Sequence, residues 1–217
     1  MITLHEFPPT RSQRVKWALE ELGVAYAGKR VDMMAGAQNT EAYRAIHPLG
    51  VVPALETDEY AMFESVAIVL QMIDENPHAG LAPDAGTPAR ALYYQWSVFA
   101  AAEMDPAIMT VFDNTLRPLA AMRPEGRQHS AEAAELGRYE FALRAAVLSD
   151  ALQDRDYLLG PDFSGADVVI GHSCFMAAHI GLMEAGVYPV LDGYFGRLQV
   201  RPAYQSTYDP KTFHRPA

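Results

Sequence analysis

The fold of this chain is decided by Gly50-Val51-Val52-Pro53-Ala54-Leu55, which is followed nine residues later by Glu64-Ser65. Proline cannot donate a backbone hydrogen bond, so Pro53 is expected to start a strand or to lie at a sheet edge. The residue before a proline is extended, so the backbone of Val52 could pair with an extended peptide. Glu64-Ser65 precedes an apolar run, which predicts a helix whose start could bind the charged ends of an amino acid.

The first 75 residues predict one compact α/β unit with the order β-α-β-α-β-β-α. Thr10 or Ser12 can cap the first helix, and Gly23 ends it. The predicted strands are residues 2–7, 25–32, 53–56 and 60–62, and the predicted helices end at residues 22 and 74, with a mixed loop and short helix at 33–48.

Beyond a Pro- and Gly-containing linker at residues 76–88, the sequence predicts helices only. Pro106 is expected to kink or break the first of them. Ser164-Gly165-Ala166-Asp167 matches a capping box in front of an apolar helix. The predicted helices cover residues 89–116, 130–152, 168–183 and 190–200, and Arg201-Pro202 is expected to end the last one.

Length and composition fit one large or two small globular domains, since the chain has 217 residues and is 50% apolar. Its apolar runs reach only about five residues, far below the roughly 20 that a membrane span needs. The N-terminus has no basic region followed by an apolar one, so no signal peptide is expected. The single cysteine, Cys174, excludes an internal disulfide and fits a reducing cytoplasm.

The charge argues against nucleic acid and anionic membranes as partners. The net charge is −10, and residues 1–80 and 81–217 each contribute −5 without a basic block. No Cys or His cluster has metal-ligand spacing, and the pair His172 and His179 does not define a metal site.

Four stretches in this order resemble the cytosolic glutathione transferase superfamily, in particular its bacterial, serine-type members. The resemblance covers roughly residues 2–205. It implies a thioredoxin-like α/β domain at residues 1–77 and an all-helical domain at residues 88–217. The stretches are Thr10-Arg11-Ser12-Gln13-Arg14-Val15, His47-Pro48-Leu49-Gly50-Val51-Val52-Pro53-Ala54-Leu55, Phe63-Glu64-Ser65 and Phe163-Ser164-Gly165-Ala166-Asp167.

The resemblance implies a glutathione site. Pro53 matches the family's cis-proline, which turns the Val52 backbone toward the cysteinyl part of glutathione. Ser65 would bind the γ-glutamyl carboxylate at a helix N-terminus, where the dipole favours an anion. Glu64 would face the γ-glutamyl ammonium. Without the resemblance, Ser65 could equally be a plain helix cap, and Glu64 could be a solvated carboxylate at a helix start.

The residue that activates the thiol stays open between Thr10, Ser12 and Arg11. In the family, a Tyr, Ser or Cys just after the first strand donates a hydrogen bond to the thiolate, and a lower thiol pKa results. Thr10 aligns with the serine of serine-type members, and Ser12 lies two residues further on. Either residue could instead only cap the helix. Arg11 would favour the thiolate through its charge.

Val51 stands where many relatives have a Lys or Arg that pairs with the glycyl carboxylate of glutathione. Gln38, Asn39 or His47 could partly substitute, although each is also an ordinary loop residue.

The second substrate would bind between the domains, against an aromatic and methionine-rich surface. Most of these side chains are expected to belong to the core, and the rest would line an apolar pocket. Asp167 is expected to be structural. The surface consists of Tyr93, Trp96, Phe99, Met104, Met109 and Phe112.

The implied function is that of a glutathione transferase, in which the glutathione thiolate attacks a small apolar electrophile. Detoxification, a homodimer, a cytoplasmic location and no metal follow as family expectations. Two alternatives stay open: a non-catalytic binding or assembly protein of the same fold, and a glutathione-dependent isomerase or dehalogenase.

Overall fold

A mixed four-stranded sheet forms the framework of the N-terminal unit in the computed structural model, which describes residues 1–117 and 128–212. The strand order is β2-β1-β3-β4, with β1 parallel to β2 and the other pairs antiparallel. The strands are β1 (Ile2–Glu6), β2 (Tyr26–Arg30), β3 (Ala54–Glu56) and β4 (Ala61–Phe63).

Three helices accompany this sheet: α1 (Ser12–Leu22), α2 (Glu41–Arg44) and α3 (Ser65–Glu75). A parallel strand pair needs a crossover, which α1 provides between β1 and β2. The register pairs Leu4 with Leu55, and both are fully buried, so the apolar alternation of β1 places one sheet face in the core. The predicted order β-α-β-α-β-β-α is confirmed; β1, β2 and β3 are shorter than predicted at one or both ends, and β4 has the predicted length but is shifted by one residue.

The start of α1 differs from the prediction that Thr10 or Ser12 caps it. Arg11 is the N-cap residue, and its side chain makes no capping hydrogen bond. The Thr10 hydroxyl instead accepts the N–H of Ser12, which is already the first helical residue. Gly23 ends the helix as predicted, in the left-handed conformation with φ 65°.

The second unit consists of helices α4 (Pro88–Phe99), α5 (Asp105–Thr115), α6 (Ala131–Leu152), α7 (Gly165–His179) and α8 (Pro189–Gln199). At the predicted kink or break near Pro106 the chain stays helical, and a π-helical segment, Ala100–Met104, joins α4 to α5. Pro106 lies in the first turn of α5, directly after the π-helical segment. The described residues of this unit contain no strand beyond a single bridge between Tyr157 and Gly160.

One helix was not predicted. The sequence pattern ended the last helix at Arg201-Pro202, and α8 does end at Gln199. Pro202 then starts a further helix, α9 (Pro202–Thr207), because proline also fits the first helical position. Three short 3₁₀ helices complete the described secondary structure, at Ala37–Asn39, Pro77–Ala79 and Pro210–Thr212.

Contacts divide the chain into two compact units. One consists of Met1–Ala79 together with the described residues from Val200 on, and the other is Gly80–Gln199. The fold class is confirmed: an α/β thioredoxin-like unit and an all-helical unit. The domain boundaries 1–77 and 88–217 stay a prediction, and residues 118–127 and 213–217 of the second range lie outside the described residues. Within residues 1–117 and 128–212, no helix has the length and apolar character to cross a membrane.

Candidate functional site

A small groove in the first unit brings together the start of α1, the loop before β3 and the start of α3. It encloses about 20 Å³, which is room for roughly one water molecule or one small charged group. Its lining residues are Arg11, His47, Val51, Val52, Pro53, Glu64 and Ser65.

Val52 lies in the loop before β3 and lines the groove, although it is only 5% exposed. The Val52–Pro53 peptide bond is cis, as the resemblance implied. Tyr43 donates its hydroxyl hydrogen to the carbonyl oxygen of Val51 at 2.7 Å, which fixes the preceding residue. The backbone groups of Val52 make no hydrogen bond to any described residue, so they are available to an extended ligand.

Gly50 allows this loop to form. Its φ is +61°, and a β-carbon there would lie 2.7 Å from the carbonyl oxygen of Gln38. A side chain at this position would therefore be strained and would also collide with backbone.

The start of α3 forms the anion-favouring end of the groove. Ser65 is the first residue of α3 and is 4% exposed. The first N–H groups of a helix have no intrahelical partner, and the helix dipole favours a negative charge there. Glu64 precedes Ser65 as the N-cap residue, with φ 74° and ψ 103°.

Arg14 supports this end of the groove, and the sequence prediction missed it. Its side chain is fully buried, and Nη1 donates to Oγ of Ser65 at 2.9 Å. The sequence did contain a sign of this role, because Arg14 lies four residues before Ala18 and therefore on the apolar face of α1. A buried arginine on such a face needs a polar partner.

Charges of both signs line the groove. The guanidinium of Arg11 makes no hydrogen bond or ion pair within the described residues, so it remains available to an anion. Burial lowers the pKa of His47 from its ordinary value, and the charge of Arg11 adds to this, while Glu64 opposes it. Burial therefore favours the neutral form of His47, and its role in place of a cation at Val51 stays a prediction.

Thr10 and Ser12 do not line the groove. Their hydroxyl oxygens lie 2.9 Å apart and share a hydrogen bond, and Oγ of Ser12 also accepts the N–H of Phe7 at 3.2 Å. Ser12 is fully buried, whereas Thr10 is half-buried. Their roles in activating a thiol stay predictions.

Gln38 and Asn39 also lie outside the lining of the groove. Gln38 is buried in the 3₁₀ helix Ala37–Asn39. The side-chain oxygen of Asn39 accepts a hydrogen bond from Nη2 of Arg44 at 3.0 Å, so it is engaged within the loop.

The residues predicted for a second substrate lie on α4, α5 and the π-helical segment of the second unit. Tyr93, Trp96 and Met104 are buried and belong to the core. Phe99, Met109 and Phe112 are half-buried, and these three are the members that a ligand could reach.

Asp167 has a structural environment. It is fully buried and forms the predicted capping box with Ser164. One carboxylate oxygen accepts the N–H of Leu158 and the hydroxyl of Tyr194, and the other accepts the N–H and the hydroxyl of Ser164. Among residues 1–117 and 128–212, no group of His, Cys, Asp or Glu side chains is placed to hold a metal ion.

The sequence profile of the glutathione S-transferase N-terminal domain matches residues 1–71, the segment that contains the whole groove. A glutathione S-transferase of Xanthomonas campestris is 27% identical over 166 residues, which are 76% of this chain and 77% of the relative.

A sphingomonad glutathione S-transferase, solved in complex with glutathione, is similar along nearly the whole chain. Its TM-score is 0.82 at 28% identity, over 98% of this chain and 100% of that one. Elongation factor 1-gamma of Prunus avium is 27% identical over 201 residues, which are 88% of this chain and 45% of that protein.

Proposed function

This chain belongs to the cytosolic glutathione transferase superfamily, and from that premise we propose that it is a glutathione transferase. The observation that carries the proposal is the groove, which combines a free backbone edge at Val52, the N-terminus of α3 at Ser65 and a carboxylate at Glu64. These are the groups that a peptide with a free amino acid end requires.

Glutathione as a substrate fits these residues by charge. A carboxylate of the ligand would accept hydrogen bonds at Ser65 and the start of α3, and the ammonium of the same end would face Glu64. The backbone of Val52 would pair with the peptide in the manner of an added strand. The protein thereby orients the thiol for attack on a small apolar electrophile.

Arg11 is the best supported residue for stabilising the thiolate. It lines the groove, and its guanidinium makes no hydrogen bond or ion pair with another described residue. An opposite charge nearby lowers the pKa of a thiol. A second route runs through Thr10: if Ser12 donates to it, the hydrogen of the Thr10 hydroxyl is left for the sulfur.

The test measures glutathione binding by calorimetry at millimolar concentrations, followed by conjugation of an electrophilic aromatic substrate. We expect saturable binding and accumulation of the conjugate. The absence of both heat and turnover would overturn the proposal.

The thiolate role of Arg11 is tested by the ultraviolet absorbance of the bound thiolate as a function of pH. Arg11→Ala is expected to raise the pKa of the bound thiol by about one unit or more. Arg30→Ala removes the same charge from β2, outside the groove, and serves as the control. An unchanged pKa in Arg11→Ala, with a raised pKa in Thr10→Val, would assign the role to Thr10.

One observation favours a non-catalytic protein of the same fold as the second candidate. Ser65 carries the only hydroxyl group among the residues that line the groove, while those of Thr10 and Ser12 bond to each other. In that case Ser65→Ala changes stability alone, and no glutathione-dependent turnover is measured.

A cytoplasmic homodimer with a role in detoxification completes the proposal. Cys174 is buried, and burial raises the pKa of its thiol to about 12, so it is inert in thiol exchange. Sedimentation of the purified protein tests the dimer.

A further inference from the structure

We propose that the outer edge of β2 and a cavity beside it form a second binding site, which takes the C-terminal end of an extended peptide whose last side chain is apolar. The site lies wholly within the first unit, and none of the residues that line this cavity also lines the groove. The inference therefore does not rest on the proposed function.

The outer edge of β2 has unpaired backbone groups. Among the described strands β2 pairs only with β1, and its last four residues are exposed. The N–H of Val31, just beyond β2, donates to the carbonyl oxygen of Glu6 at 2.9 Å. Since the backbone groups of successive residues point to opposite sides of a strand, those of Gly28 and Arg30 point away from β1. An extended peptide can pair with them, and Gly28 has no side chain to shield them.

An apolar cavity lies on one face of this edge. The register pairs His5 of β1 with Lys29 of β2, so their side chains lie on the same face of the sheet, and both residues line the cavity. The cavity measures about 200 Å³. Because a cavity of about 150 Å³ can hold benzene, this one has room for a leucine or phenylalanine side chain. The apolar part of its lining consists of Val31, Ala37, Ala42, Tyr43 and Ile46.

The charge of the lining favours a carboxylate. None of the described residues that line the cavity is acidic, although the chain has a net charge of −10. The ammonium group of Lys29 makes no hydrogen bond or ion pair with a described residue, so it remains available to an anion. Two other basic residues of the lining already have partners, since His5 pairs with Glu56 and Arg30 lies over the Phe7 ring.

The edge, the cavity and the charge fit the last residue of a peptide. A strand added to β2 gains backbone hydrogen bonds, and every second side chain of it lies on the face of the cavity. At a C-terminus the α-carboxylate and the side chain share one Cα atom, so a single residue can fill the cavity and pair with Lys29. A second copy of β2 is disfavoured as the partner, because pairing of the two edges would bring the positive charges of both copies together.

The experiment measures the fluorescence polarisation of a labelled hexapeptide, Gly-Ser-Thr-Val-Thr-Leu, with a free C-terminal carboxylate. We expect saturable binding that is at least about tenfold tighter than that of the same peptide with a C-terminal amide. Lys29→Met should reduce this preference to less than about threefold. Lys211→Met removes an exposed lysine outside the cavity and should leave the preference unchanged.

Two further comparisons test the cavity and the edge separately. Ala42→Trp adds a large side chain to the lining from an exposed position, and it should weaken binding by at least about tenfold. Methyl groups are also placed on the peptide nitrogens of Ser, Val and Leu, or on those of the two Thr residues. One of these two patterns should abolish binding and the other should be tolerated, because only alternate N–H groups of an added strand face β2.

Equal affinity of the acid and the amide would overturn the inference, as would the absence of saturable binding up to about 1 mM peptide. Equal tolerance of both methylation patterns, or acetyl-leucine that binds as tightly as the hexapeptide, would show a site for small carboxylates without strand addition. Competition by glutathione would place the peptide in the groove instead. If Ala42→Trp does not fold, as judged by circular dichroism, a hexapeptide that ends in Gly replaces this variant, and its binding as tightly as the Leu peptide would contradict the role of the cavity.

Discussion

Glu64 has a positive φ, 74°, and no other residue except glycine has one within the described part of the chain. Such a backbone conformation costs about 1–3 kcal/mol for a residue with a side chain, and it tends to occur at binding sites. Glu64 lines the groove beside Ser65. We interpret the strained backbone as a stability cost that is retained for ligand binding.

Glu64→Gly is therefore expected to raise the free energy of unfolding by about 1 kcal/mol and to weaken glutathione binding by at least about tenfold. Urea denaturation and calorimetry measure the two effects. Glu64→Gln keeps the β-carbon and the strained backbone, so it should weaken binding without the gain in stability. Equal stability of the two variants would contradict the strain argument.

His47 links stability to pH. Its pKa is lowered in the folded protein because burial disfavours the charged form. Between that pKa and the unfolded value of about 6.5, the unfolded chain binds a proton that the folded chain does not. Stability should therefore fall as the pH drops below about 6.5 and level off below the folded-state pKa.

Urea denaturation at about pH 7.5 and about pH 5.5 measures this loss, to which His47 can contribute up to about 1.4 kcal/mol. His47→Gln should lose less stability than the unchanged protein on acidification. His179, whose pKa is also lowered by burial, contributes separately, so His179→Gln is the matched comparison. If His47→Gln loses as much stability on acidification as the unchanged protein does, the loss is due to groups other than His47.

Residues of the groove differ in how far they could be predicted. Pro53 and Ser65 are recognisable because proline geometry and helix starts are local properties of the chain. Arg14 was missed because its partner is 51 residues away, and only the tertiary fold brings the two together. The separation of Thr10 and Ser12 from the groove is likewise a matter of side-chain direction, which spacing along the sequence does not specify.

At the scale of the elements, α7 is anchored by one buried side chain in its first turn. Asp167 accepts hydrogen bonds from two backbone N–H groups and two hydroxyls, all in the buried interior. Removing the carboxylate would leave several of these donors without partners, at about 1–3 kcal/mol each.

Asp167→Ala is accordingly expected to lower the free energy of unfolding by about 3–5 kcal/mol, as measured in urea. Ser130→Ala removes an exposed cap from α6 and should cost about 1 kcal/mol. A loss in Asp167→Ala that is no larger than in Ser130→Ala would mean that the capping box is not essential to the second unit.

Helix boundaries were predicted correctly where the residue type indicates only one structure. They were predicted wrongly where the same residue type occurs both at the end and at the start of a helix. Gly23 and Ser164 mark a helix end and a helix start in the expected way. The position of Pro106 indicated an irregularity in the helix, but not the π-helical form that it takes. Pro202 was interpreted as a stop, although proline is equally common at the first position of a helix, and α9 begins there.

At the scale of the whole molecule, the residues from Val200 on pack against α1 and complete the first unit. Arg201 binds both carboxylate oxygens of Glu21, at 2.7 and 2.8 Å. Trp17, which is fully buried, donates its indole N–H to the same carboxylate. Two parts of the chain that are 180 residues apart are thereby joined.

Arg201→Ala should lower the free energy of unfolding by about 1–2 kcal/mol, because the lost pair is bidentate and largely shielded from water. Urea denaturation followed by tryptophan fluorescence measures it. Arg138→Ala breaks an exposed ion pair with Glu135 and should cost less than about 0.5 kcal/mol. Equal effects would show that the contact between α1 and Arg201 adds no stability.

The return of the chain to α1 has a consequence for its synthesis. The roughly 120 residues of Gly80–Gln199 are translated between α1 and the segment that covers it. At roughly 5–20 residues per second, the nascent first unit waits about 6–24 s before α9 leaves the ribosome. During that interval the apolar surface around Trp17 is uncovered, which makes the ribosome-bound chain a target for chaperones until α9 has emerged.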